Sequence, residues 1–365
     1  MSSSWSRPGL LERFLFLEPT CHIIQGFATA LYVPFRGEEF SCDGRWSFLI
    51  PGCGCGPNLQ WCQTDAGLNE LKGHLLDQEL RVVDRAVDGS RPYTEILTDK
   101  QMEFNGPVAH YLKYQSGLVL ELDAKPDATS PAPDIPSTQQ EWVSVQRSGR
   151  HAGVLPTPGY LLRFASNRAR AFRFYGAFEC SSFIPSGPLP SPTEPCSQRL
   201  ELTERCGGDS CHIKLEPMAS HWGRFSEYGY ANLDETNFPE VGFQKCSTFQ
   251  NIDDFFDCFR HYKLDPAPEE EPFAARLNAY VFRSEEEIAA IEQGPGLLAQ
   301  QAIDSGRFGA CTVRRMWTQF MRREPTIDEE ENVLPELASD FAQQGYNIKA
   351  LVKRIVLHPA YGREL

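Results

Sequence analysis

Arg205-Cys206-Gly207-Gly208-Asp209-Ser210-Cys211-His212-Ile213-Lys214-Leu215-Glu216-Pro217 is the stretch on which the reading of this chain turns. It carries two thiols and an imidazole in a C-x4-C-H arrangement. Two thiols so placed can bond the two vinyl groups of one haem and leave the adjacent imidazole under the iron. The usual attachment motif has a shorter gap, C-x-x-C-H. On this reading Cys206 and Cys211 are the thioether donors of one covalent haem c and His212 is the proximal iron ligand. The competing reading is a disulfide: Cys206 to Cys211 across a small turn eased by Gly207 and Gly208, or either thiol to Cys196 or Cys180.

A haem iron takes a second axial ligand or leaves that position open, and the choice sets its chemistry. Met218 and His221 are close in sequence, while Met316 and Met321 lie on a helix expected over 307–323. A methionine ligand raises the potential and a histidine lowers it; an open position suits small-ligand or peroxide chemistry. Both distal methionines also read as ordinary helix core. Trp222, Phe225, Tyr228 and Tyr230 supply aromatic surface for an apolar haem pocket or for any core.

The chain has 365 residues, 41% of them apolar, enough for two or three domains. Its formal charge is −14 with no Lys/Arg cluster, which argues against nucleic acid or an anionic membrane as partner. Twelve cysteines in Gly/Pro-rich surroundings point to disulfides and an oxidising, periplasmic or extracellular location. Haem c is attached in the same compartments. The first residues lack a signal peptide's basic and apolar regions, so the expectation is a removed signal or a C-terminal portion of a longer protein. No apolar run approaches a membrane span. Neither a phosphate loop, nor His-Glu-x-x-His, nor G-x-S-x-G is present, so an electron carrier is favoured over a conventional enzyme.

Along the chain, 10–18 reads as a short helix ahead of Cys21-His22. Cys42, Cys53, Cys55 and Cys62 read as two local disulfides rather than a zinc site, because paired C-x2-C knuckles are lacking. Apolar residues recur at helical spacing from Leu68 to Val87. Residues 91–98 and 104–112 suggest a turn and a helix, and 117–123 and 141–146 suggest strands. Ser166–Phe178 reads as a helix with Arg168, Arg170 and Arg173 on one side, suited to haem propionates or to solvent. Proline-rich connectors follow at 125–139 and 184–195, with a helix at 249–263. Helices are expected at 284–293, 307–323, 331–344 and 347–357, with Gly345 as a stop. Glu285–Glu287 and Asp328–Glu331 read as acidic helix starts, with calcium the alternative.

Several of these stretches resemble the planctomycete- and myxobacterium-type cytochrome c-like extracytoplasmic proteins. They are Arg91-Pro92-Tyr93-Thr94-Glu95-Ile96-Leu97-Thr98, Asn105–Ala109 with Tyr111, His151–Leu161, Cys211–Pro217, Cys311–Pro325 and Asn347–Tyr361. The likeness extends from about residue 68 to the C-terminus, and the thiol gap departs from it. The resemblance implies one haem at the Cys-His motif, an extracytoplasmic location, and a redox partner protein or larger assembly.

The expected fold is mainly α, with helical bundle segments, long disulfide-stapled loops, minor β and a cytochrome c-like haem segment. The expected division is a disulfide-rich N-terminal domain at 1–124, a linker at 125–140, the haem domain at 141–265 and a helical domain at 266–365. The expected function is one-electron transfer, with a haem-free stapled interaction module as the alternative.

Overall fold

The computed structural model describes residues 32–35, 38–41, 65–88, 91–115, 130–182, 191, 193–205, 211–227, 232–235, 238–242, 258–259 and 261–361. The described chain is mainly helical with two small antiparallel sheets. β1 (Tyr32–Phe35) pairs with β2 (Glu38–Ser41). The expected helix at 10–18, the strand at 117–123 and the cysteines at 21, 42, 53, 55 and 62 lie outside the described residues, as do most of the 184–195 connector and most of 249–263.

α1 (Asp65–Asp88) realises the helical spacing in one piece. Leu71, Leu75, Gln78, Val82 and Ala86 recur every three or four residues and are buried, whereas Leu76 and Leu80 point outward. Gln78, the one polar member of that stripe, donates Nε2 to the Glu103 carbonyl at 2.7 Å. Arg81 and Arg85 pair with the Glu103 carboxylate, and Arg85 and Arg91 with Asp99. The Arg81 and Arg85 pairs seat α1 on β3 (Gln101–Phe104) and on Asp99 at the end of α2 (Glu95–Thr98).

β3 pairs with β4 (Val143–Gln146), Gln101 opposite Gln146 and Phe104 opposite Val143. The strand expected at 141–146 therefore exists, and its partner was not legible because Gln-Met-Glu-Phe is too short to show alternation. The ladder bridges the 125–140 connector. The first core likewise runs across it, joining Leu97, Phe104 and Val108 to Leu155, Phe174, Trp222, Leu298 and Phe308.

α3 (Gly106–His110) begins at Asn105, whose Oδ1 accepts from Val108 N. α4 (Pro158–Arg163) is capped by Thr157 and α5 (Asn167–Phe178) by Ser166. Gly153, at φ +61, lies against the Leu97 backbone, where a Cβ would sit 2.3 Å from the carbonyl carbon. α6 (Cys211–Ser220) packs on α5 and on α7 (Glu285–Gln293). Ser284 and Glu287 form a capping box at the start of α7, so those glutamates serve as a helix start.

α8 (Pro295–Asp304) was not expected; Pro295 at its first position marks its start. α9 (Arg307–Met321), α10 (Leu334–Gln343) and α11 (Ile348–Val356) close a third core around Trp317, Phe341, Leu351 and Ile355. Gly345, at φ +65, ends the α10 turn as anticipated. The disulfide Cys180–Cys311 ties the end of α5 to α9.

Glu79 Oε1 lies 3.0 Å from Thr157 Oγ1, which also lies 2.7 Å from the Val154 carbonyl and 3.3 Å from Tyr160 N. The hydroxyl accepts from Tyr160 and has one proton. That proton is donated to Glu79 Oε1 or to the Val154 carbonyl. Burial pushes the Glu79 carboxyl up to about 7 against the pull of the Thr157 hydrogen bond. The folded chain thus holds a proton that an unfolded carboxyl releases near 4.5. This contribution is complete below about pH 4.5 and lost as pH rises through about 7, a change of about 3 kcal/mol. Urea unfolding across that range should show the decline, and Glu79→Gln should flatten it; a variant with the wild-type slope would refute the assignment.

Candidate functional site

α6 places His212 in its first turn and Glu216 one turn later, so an i,i+4 pair is built into the helix. His212 Nδ1 lies 3.0 Å from Glu216 Oε1. The imidazole side chain is 33% exposed and the carboxylate 5%. Two guanidinium groups from other elements hold that carboxylate. Arg168 of α5 reaches both oxygens. Arg283 donates Nη2 to Oε2 at 3.3 Å and Nη1 to the Glu216 carbonyl at 2.9 Å, and is itself paired with Glu287. Burial alone would raise the Glu216 carboxyl, but hydrogen bonds from Arg168 and His212 and the charges of Arg168 and Arg283 hold it below the usual carboxylate range. A cleft of about 220 Å³ opens beside this cluster, its charged lining Arg168, Glu201, Glu216, Lys263, Glu270 and Arg283. Lys263 and Glu270 pair at 2.7 Å, so the cleft is charge-balanced. Its volume lies below the usual range of ligand pockets, about 300 Å³ upward.

The three arginines of α5 part company. Arg168 serves Glu216, Arg173 lies over the Phe164 ring with its guanidinium carbon 5.8 Å from the centroid, and Arg170 is fully buried. Arg170 donates to the Leu161, Phe164 and Ser226 carbonyls and to Asn167 Oδ1. A single basic side facing propionates or solvent is therefore not what α5 presents: the Arg170 side turns inward, where carbonyls at the end of α4 need donors.

Cys206 lies outside the described residues, and Cys211 opens α6. Cys180 is bonded to Cys311 at 2.08 Å, which corrects the alternative of a Cys180 bridge to Cys206 or Cys211. Cys196 and Cys258 are also disulfide-bonded.

Trp222 and Phe225 are core residues. Trp222 stacks on Tyr160 with centroids 6.2 Å apart and donates Nε1 to the Leu155 carbonyl; Phe225 meets the edge of His151. Met218 packs against the first core and Met316 and Met321 against the third. His221 is buried with Nδ1 3.0 Å from the Gly294 carbonyl, and burial depresses its pKa. Met218 and His221 follow His212 along α6 or just past its end, at about 1.5 Å of rise per residue.

Among the described residues no group of three or more His, Cys, Asp or Glu is arranged to hold a metal ion. A haem demands less, because the macrocycle supplies the equatorial ligands and the protein only axial ones. The fit is thus divided. An oriented imidazole beside a cysteine suits an iron ligand, while the expected aromatic wall and distal methionines are engaged elsewhere. No described helix is long and apolar enough to cross a membrane.

The sequence shows His212 and Glu216 four residues apart, but no helix was expected there, so their pairing came only with α6. The two arginines were not legible either, since Arg283 is remote in the chain. Compared with known protein families, with curated proteins and with solved structures, the chain matches none.

Proposed function

We propose that this chain is a c-type haem protein of an oxidising, extracytoplasmic compartment that passes single electrons to a partner protein or a larger assembly. The observation that carries the reading is His212: it directly follows Cys211 at the start of α6, and a clamped carboxylate engages Nδ1, leaving Nε2 to another partner. Ligating histidines characteristically donate their second ring N–H in this way. Cys206 and Cys211 would hold the haem through thioethers and His212 would ligate the iron, which supplies one-electron exchange when bound. The sequence resemblance to cytochrome c-like extracytoplasmic proteins supports the same reading.

The test is a pyridine haemochrome spectrum and an intact mass on protein exported from a host that matures haem c. One covalent haem per chain is expected, abolished in Cys206→Ser/Cys211→Ser. A haem-free mass with all cysteines oxidised would reject it. The ferric spectrum then separates carrier from haem enzyme: low spin indicates two strong axial ligands, high spin an open or weak sixth position.

The Cys180–Cys311 bond and the bonded states of Cys196 and Cys258 favour a second reading, a haem-free stapled interaction module with Cys206 and Cys211 in disulfides. The same mass measurement decides between them.

A further inference from the structure

We propose that Glu216 is a positioning residue for His212, holding the imidazole as its Nδ1–H tautomer and presenting the Nε2 lone pair as the ligating atom. What Nε2 ligates rests on the haem reading; the tautomer does not.

An ionised carboxylate only accepts, so the 3.0 Å contact requires a proton on Nδ1. In the neutral ring the lone pair then sits on Nε2. An exposed i,i+4 pair on a helix would wander, because nothing holds its acceptor. Here the acceptor is fixed from three directions: by its own helix, by Arg168 from α5, and by Arg283, which binds both the Glu216 side chain and its carbonyl. The Glu216 side chain is 5% exposed, so water competes little for it. The imidazole keeps its outer edge open while its inner edge is pinned.

A carboxylate on Nδ1–H makes Nε2 a more basic donor, and two guanidinium groups temper it. Substituting glutamine removes the negative charge and leaves Arg168 and Arg283 in place. On a loaded protein this favours reduced iron.

Ring nitrogen-15 spectra of the full chain at about pH 8.5, above the ordinary imidazole range, read the tautomer directly, with His212→Gln assigning the signals. Wild type is expected to show protonated Nδ1 and bare Nε2. Glu216→Ala should move the ring toward Nε2–H. Glu216→Gln, whose amide can donate or accept, should give a mixture and keeps the test alive should the alanine variant not fold. A wild-type ring with bare Nδ1, or a tautomer indifferent to both substitutions, overturns the proposal. On haem-loaded protein, Glu216→Gln should raise the midpoint potential, shifting the reduced-to-oxidised ratio roughly tenfold, about 59 mV for one electron. A loaded, folded variant with the wild-type potential overturns the proposal and leaves the haem reading intact. A haem-free protein whose His212 tautomer still depends on Glu216 supports the proposal and removes only the haem reading.

Discussion

Replacing Arg170 with methionine should lower the free energy of unfolding by about 4 kcal/mol. The guanidinium is fully buried. Its donors go to the Leu161 and Phe164 carbonyls, the Ser226 carbonyl and Asn167 Oδ1. Leu161 and Phe164 sit at the C-terminal end of α4, where helix carbonyls have no partner of their own. A cation there also suits the negative end of the helix dipole. Methionine fills much of the volume but leaves those carbonyls buried without donors, at roughly 1–3 kcal/mol each. Arg170→Lys should recover little, because one ammonium cannot reach groups spread around a planar fork. Arg173→Met, on the exposed side of the same helix, is the control and should stay within about 0.5 kcal/mol. Urea titrations of the three variants decide it. An Arg170→Met midpoint equal to that of Arg173→Met would show that the carbonyl clamp contributes nothing.

The second large effect belongs to Cys180–Cys311. The bond joins residues 131 apart in sequence. The loop-entropy model gives about 5 kcal/mol for a closure of that length. Cys196 and Cys258 lie inside the loop and are themselves bonded, so the unfolded chain is already restricted. The expected loss for Cys180→Ser/Cys311→Ser is therefore about 3–4 kcal/mol. The neighbouring contacts survive in the variant: Arg315 donates to the Gly176 carbonyl, and Arg307 lies 3.5 Å from Glu179. The seam between α5 and α9 should thus remain while the whole domain unfolds at lower urea. A double variant as stable as wild type would mean that the unfolded state is equally restricted without this bond.

Much of the helical framework was legible residue by residue. Asn167–Phe178, Glu285–Gln293, Arg307–Met321, Leu334–Gln343 and Ile348–Val356 fall within a few residues of their expected spans, because periodic apolar residues, cap residues and Gly345 are all local signals. α8 was missed although Gly294-Pro295 announces it. β3 was missed because a short strand has no period of its own; β4 gives it one.

At the site, sequence alone determined that a cysteine and a histidine are adjacent, with a glutamate four residues on; that a helix makes those four residues one turn came from the structure. Sequence also determined that twelve cysteines would be available for pairing. Only the tertiary structure decided that Arg168 and Arg283 converge on Glu216, that Trp222 and Phe225 belong to the core, that Met316 and Met321 serve a different one, and that Cys180 pairs with Cys311. The reason is physical. Helical spacing acts over four residues, whereas the partner of a buried charge, an aromatic ring or a thiol is chosen by whichever distant segment excludes water from it.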